Sequence, residues 1–343
     1  MKIVHFECGL GNQMTCYANY LLVKKYNDDD VYIEDLVYHI DRKGIGFNQW
    51  NGFELNRVFG LEFNSILDAA ADPDELLENM ELEYDKDEGQ NNSYSAYRAL
   101  IRSGLEMRVA GNFQEESRED NLAVRIKHKI RRTVVSPGKN AIANSLRRHI
   151  YNIMRHVRKY NTSIYQRRDG NWFYPLSFDV MKDVDSLEPV KEELLSSFSF
   201  PDVGDGKNKQ MIERIENSNS VSIHARRSDF LQYNNDCYTN GFFKKAVKYI
   251  KKRVDNPLFV VFSEDCEWCK ENIDVLGLTD DDAVAFVDWN NGDDSYRDMQ
   301  LMSLCKHNII TKSSFGWWAA YINPNPDKIV VSQVSEYYSK VYI

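Results

Sequence analysis

SVSIHARRSDFL (residues 220–231) begins as a buried strand and ends in charge. Val221 and Ile223 alternate with Ser222 and His224, and then come Arg226, Arg227 and Asp229. Alternating apolar residues that run straight into two cations mark a core strand leaving a sheet at its carboxyl edge. Downstream, strand and helix keep alternating. Helices are predicted over 240–254, 265–277, 295–307 and 314–323, and strands over 258–263, 283–288, 308–311 and 328–332. Short β-rich runs joined by helices predict a parallel, doubly wound α/β sheet. Ligands of such sheets bind beyond the carboxyl ends of the strands.

The first half repeats the pattern less regularly, with strands at KIVHFE (2–7), VYIED (31–35) and LEMRVAGNF (105–113) around a helix at 12–26. FPDVGDGKNK (200–209) combines Pro, Gly and charge as linkers do. The expected domains are therefore 1–200 and 201–343. A chain of 343 residues suffices for two cores. With 43% apolar and 28% charged residues it is globular in composition, not disordered.

No apolar run reaches the roughly 18–20 residues that span a bilayer. MKIVHFECGLGNQM lacks the pattern of a signal peptide, so the expected location is cytoplasmic. Six scattered cysteines make no disulfide framework. Cys266 and Cys269 form a CxxC with no second ligand pair, and are expected to be packing residues in the first turn of a helix.

Net charge is −9, yet residues 125–168 hold 13 Lys or Arg and no acid. Within that segment, 144–160 places Leu146, Ile150, Ile153, Met154 and Val157 at helical spacing among cations. Such a helix either packs on its own domain or lies on an anionic membrane surface. Nucleic-acid binding is not expected, because the acidic remainder repels phosphate.

At the edge of the 220–225 strand, Arg226 and Arg227 offer guanidinium forks to phosphate oxygens; the alternative for Arg227 is a simple pair with Asp229. Lys312, Ser313, Ser314 and Phe315 stand where another strand ends and a helix begins, a place suited to a diphosphate. Trp317 and Trp318 either anchor that helix or stack a base. GLGNQM (9–14) follows the first strand. Met14 stands where the dinucleotide fingerprint has its third glycine, so Gly9, Gly11, Asn12 and Gln13 read instead as a tight loop brought up to a ligand. Asp28–Asp30, Asp280–Asp282 and Asp293–Asp294 read as solvated turns, so no metal site is expected. Glu115 and Glu116 follow a strand of the first half and are candidate bases, or surface acids.

GLGNQM, HARRSDF (224–230), FSEDCEWCKENI (262–273) and DMQLMSLCKHNIITKSSFGWWAAYI (298–322) together resemble the α-1,2-fucosyltransferases of glycosyltransferase family 11, bacterial type. GFEL (52–55) and GNFQEE (111–116) are lesser matches. The resemblance implies a GT-B-like architecture, two Rossmann-like domains facing across a cleft. It implies GDP-β-L-fucose in the C-terminal domain and the acceptor in the N-terminal one. It also implies metal-independent, inverting transfer to the 2-hydroxyl of a terminal galactoside, on an oligosaccharide or lipid-linked glycan of the cell surface. Arg226 matches the family arginine that grips the donor diphosphate; His224 and Asp229 match positions near the nucleotide. Thr311-Lys312 stands where relatives carry Ala-Asn, MTCYA (14–18) replaces MFQYA, and the basic segment enlarges the acceptor domain. Rival readings are a transferase with another linkage or GDP-sugar donor, and a non-catalytic GDP- or glycan-binding protein on the same fold.

Overall fold

Two parallel sheets, one in each half of the chain, organise the computed structural model. It describes residues 1–40, 51–87, 89, 91–111, 162–204, 206–227, 230–231 and 235–333.

The first half comprises β1 (Lys2–His5), α1 (Leu10–Tyr26), β2 (Val31–Glu34), α2 (Glu54–Phe59), α3 (Ile66–Ala69), α4 (Pro73–Lys86) and α5 (Asn92–Arg102). It continues with β3 (Arg108–Val109), β4 (Trp172–Tyr174), α6 (Asp179–Lys182) and α7 (Lys191–Ser197). Strand order is β2-β1-β4-β3, all parallel. β1 is buried along its whole length because helices cover both faces. Val4 and Phe6 join the core with α1, whereas Ile3 joins the core with α4 and α5. Each of those last two helices starts on a side-chain cap, Asp72 accepting from Glu75 N at 3.0 Å and Asn91 from Tyr94 N at 3.1 Å. The strand expected over 105–113 is only two residues long, and β4, slotted between β1 and β3, was not expected at all.

The second half follows its sequence pattern closely. It runs α8 (Lys207–Glu216), β5 (Asn219–His224), α9 (Asp236–Thr239), α10 (Phe242–Lys251), β6 (Pro257–Phe262) and α11 (Cys266–Glu271). Then come β7 (Ala283–Val287), α12 (Tyr296–Leu304), β8 (His307–Ile310), α13 (Ser314–Ile322) and β9 (Val330–Ser332). The order β7-β6-β5-β8-β9 reverses direction between β5 and β8. That reversal is the switch point at which open α/β sheets bind ligands. Cys266 and Cys269 are buried in α11, packing residues as expected. α8 begins inside the segment read as linker, and what remains is pinned: Arg297 donates to the carbonyls of Pro201 at 2.5 Å and Asp202 at 2.9 Å.

One apolar core runs through both halves. Trp318 on α13 is fully buried in it, and its Nε1 donates to Thr15 Oγ1 on α1 at 2.9 Å. Further along the seam, Asn51 donates to Ser295 Oγ at 2.9 Å and Arg57 to the Asp293 carbonyl at 2.5 Å. α1 starts at the carboxyl edge of the first sheet and α13 at that of the second, and these two starts touch. The carboxyl edges of the sheets therefore face one another, the GT-B-like arrangement. Among the described residues no helix is long and apolar enough to cross a membrane. Most of the basic segment, including the helix expected over 144–160, lies outside the described residues.

Candidate functional site

The loop after β5 is fixed through three successive backbone groups. Ser263 donates to the Ala225 carbonyl at 2.7 Å, Tyr238 to the Arg226 carbonyl at 2.9 Å, and Arg227 N–H to Glu264 Oε1 at 2.6 Å. The two arginines then divide. Arg227 lies with its guanidinium 3.3 Å from the Trp268 ring centroid and Nε 2.8 Å from Asp265 Oδ2. Among the described residues its carboxylate partner is thus Asp265, on the loop after β6. Asp229 itself lies outside the described residues. Arg226 faces Glu264 at 3.7 Å and keeps 28% of its side chain exposed, against 10% for Arg227. Of the pair, Arg226 is the one presented at the sheet edge.

Across the switch point, β8 leads through Thr311, Lys312 and Ser313 into α13. Ser313 is the N-cap but makes no side-chain cap bond, so the first turn of α13 keeps N–H groups unfilled by its own cap. His224 packs against that turn. Gly316 makes room for it, since a Cβ there would fall 2.5 Å from His224 Nδ1. Burial, with Arg226 nearby, lowers the His224 imidazole to about 3, so it is neutral and serves as a wall. Lys312 pairs with Asp236 at 3.1 Å and remains partly exposed. The Thr311 hydroxyl is buried with no hydrogen-bond partner among the described residues.

From the first half, the stretch expected as a tight loop is helical from Leu10, and this first turn of α1 meets the same turn of α13. Ser314 Oγ donates to Asn12 Oδ1 at 2.5 Å. Gly11 lies so close to α13 that a Cβ would sit 2.5 Å from Phe315 N. The glycine therefore permits the close approach of α1 to α13. The N-terminus of α1 is occupied by the protein itself: Leu10 N–H donates to Glu54 Oε2 at 2.9 Å. Burial raises the Glu54 carboxyl despite this bond. Gln13 is buried between Cys8 O at 2.8 Å, Gly52 O at 2.9 Å and Glu54 N–H at 2.8 Å, so it braces the loop and does not face a ligand, contrary to expectation. Gly9 is the N-cap of α1.

Residue chemistry alone had not singled out Glu54, Glu264 or Asp265, although all three stand in the quoted motifs. A further group lies in the motif at 298: burial raises the Asp298 carboxyl to about 7, with the Asn290 amide donating to it at 2.8 Å. Trp317 and Trp318 are core anchors. Glu115 and Glu116 lie outside the described residues. On the first-half side a cavity of about 240 Å³ opens beside β3 and β4, with Tyr165, Tyr174, Ser177 and Asp179 in its wall. The Tyr174 hydroxyl is buried with no hydrogen-bond partner among the described residues.

The model of glycosyl transferase family 11 matches residues 190–340, which hold every element of the switch point. The chain is 38% identical over 120 residues to an alpha-1,2-colitosyltransferase of Escherichia coli, across 33% of this chain and 40% of that protein. It is 35% identical over 107 residues to human galactoside alpha-(1,2)-fucosyltransferase 1, across 30% of this chain and 28% of that protein. The match thus spans well under half the length of either relative. Among solved structures, the fucosyltransferase NodZ from Bradyrhizobium superposes with a TM-score of 0.44 at 9% identity, over 94% of this chain and 92% of that one.

Proposed function

We propose that the protein, whose residues 190–340 match the model of glycosyl transferase family 11, transfers L-fucose from GDP-β-L-fucose to the 2-hydroxyl of a terminal galactoside. Transfer proceeds with inversion and without a bound metal. The observation that carries this reading is the presentation of Arg226 beside the uncapped start of α13 at the switch point of the second sheet. In glycosyl transfer, positive charge develops on the sugar ring while negative charge grows on the departing diphosphate. Arg226, Lys312 and the α13 N-terminus bind that growing charge more strongly than the intact donor. Arg227 holds the loop that aims Arg226. The acceptor lies on the first half, where the cavity beside β4 offers aromatic faces, hydroxyls and a carboxylate to a sugar ring.

Incubation with labelled GDP-fucose, a panel of galactosides and a chelator, followed by linkage analysis, tests the reading. The expected product is an α-1,2-linked fucoside formed at an undiminished rate in the chelator. A product of another linkage, or chelator-sensitive transfer, refutes the corresponding part. Binding of GDP with no product from any acceptor refutes catalysis. A colitosyl donor is the second reading, favoured by the 38% identity to the colitosyltransferase; it is tested by running both donors in competition.

A further inference from the structure

β1 ends in a group of ionisable side chains that the donor site does not use. His5 is fully buried. Its Nδ1 meets Glu34 Oε2, and its Nε2 faces Glu7 Oε2 at 3.4 Å. Glu34 is fixed in turn, its Oε1 accepting Leu36 N–H at 2.9 Å. Burial alone would lower the imidazole, but the charges and hydrogen bonds of Glu34 and Glu7 raise it to about 10. His5 is therefore an imidazolium set between two carboxyl groups, Glu34 and Glu7.

Two carboxylates around one cation leave a net negative charge in the interior, which is costly, and such charges persist where function requires them. Glu7 is also the only one of the three acids and cations with an opening, its side chain being 15% exposed against 0% for His5 and Glu34. Its place is informative. It follows β1 at the carboxyl edge and precedes Cys8, which is held at φ 68°, and the first turn of α1. Asn12 of that turn accepts from Ser314 at the start of α13. The carboxylate is thus two residues from the segment that closes on the donor site from the acceptor side.

We propose that Glu7, oriented by His5 and Glu34, is the base that takes the acceptor hydroxyl proton. This rests on the transferase reading above. The acceptor oxygen forms a bond to the anomeric carbon as its O–H bond breaks, and the proton passes to a Glu7 carboxylate oxygen. The bond from the anomeric carbon to the β-phosphate oxygen breaks, and its electron pair leaves with GDP. The proton is later lost to water. His5 and Glu34 are positioning residues. Burial would raise the Glu7 carboxyl, but the His5 contact outweighs it and holds Glu7 below the usual range, so the base is ionised across the neutral region. The groups facing Glu7 are His5 on β1, Cys8, Cys16 on α1, Tyr38, and the Asn92 amide on α5, with Glu34 behind His5.

The test uses the full chain with GDP-fucose and the acceptor that the linkage assay identifies. E7Q should lower kcat by about 10²–10⁴-fold while GDP affinity and the unfolding midpoint stay at wild-type values. H5Q removes the cation, so the pKa of Glu7 rises and the acid limb of the pH–rate profile moves to higher pH. Wild-type turnover by E7Q overturns the proposal, as does loss of activity in E115Q or E116Q with E7Q intact. If E7Q does not fold, the H5Q profile decides: an unmoved acid limb overturns it. If the wild type makes no product, the transferase reading has failed and the role of Glu7 falls with it.

Discussion

Arg226 and Arg227 are chemically identical neighbours with separate tasks, and variants should separate them. R226A is expected to lose about 10²–10³-fold in kcat with an unchanged unfolding midpoint. R227A breaks an ion pair whose Asp265 side chain is 37% exposed, together with a guanidinium–indole contact, so it should cost about 1–2 kcal/mol of stability in urea unfolding. Reversal of the two outcomes would show that the wrong arginine has been assigned to the ligand. The sequence displays the pair but not the division, because Trp268 and Asp265 arrive from the next strand–helix unit. Gln13 was misread for the same reason: an amide beside a glycine loop looks available until the Glu54 backbone claims it. Two buried histidines also set opposite pH limbs. His224 is neutral when folded, so its contribution is present above the unfolded pKa of about 6.5 and is lost as pH falls towards 3. His5 is charged when folded, so its contribution is present below that unfolded value and is lost as pH rises towards 10. The unfolding midpoint should therefore be highest near neutrality, and H5Q should flatten the alkaline fall while H224Q flattens the acid one. A wild-type midpoint that climbs steadily through the alkaline range contradicts this.

Helices α1 and α13 carry the contact that makes one site from two halves. Among strands, β5 to β9 were legible because each β-rich run is bounded by an amphipathic helix. α10 shows the pattern, burying Phe242, Phe243, Ala246, Val247 and Ile250. β3 and β4, of two and three residues, are too short for any period to register, and only pairing with β1 makes them strands. The role of Thr15, in the departure MTCYA, became readable only once Trp318 was seen to donate to it. The same seam explains which glycine matters. Gly11→Ala would drive a methyl into the backbone of Phe315, which cannot swing aside as a side chain could. The expected cost is about 1–3 kcal/mol, together with weakened GDP binding. At Gly9 the nearest atom to an added Cβ is Glu54 Oε2 at 3.9 Å, so Gly9→Ala should leave the unfolding midpoint close to wild type. Equal effects of the two substitutions in thermal melts would deny the close approach.

At the scale of the whole molecule the question is why an acidic chain gathers 13 cations in residues 125–168. Arg167 is accounted for by Asp28 at 3.0 Å and Arg168 by the face of Trp172 at 4.4 Å, both on the first half. The remaining eleven precede Thr162 in the chain. Sequence shows that charge plainly, because net charge needs no tertiary partner to be read. The surface those charges meet depends on partners that no period or spacing encodes. An enzyme that decorates a lipid-linked glycan works best where its acceptor is concentrated, and an anionic bilayer attracts such a segment by about 1 kcal/mol per cation near the surface. On that ground the protein should co-sediment with vesicles containing anionic lipid and not with neutral ones, and the binding should fade as salt shortens the screening length. Replacing Arg147, Arg148, Arg155, Arg158 and Lys159 by Gln should then weaken vesicle binding by on the order of a thousandfold. GDP binding should be untouched by the same five changes, since none lies in the second half that carries Arg226, Lys312 and the start of α13. Vesicle binding that ignores both salt and these substitutions would leave the cations to pack against their own domain, the other role open to an amphipathic helix.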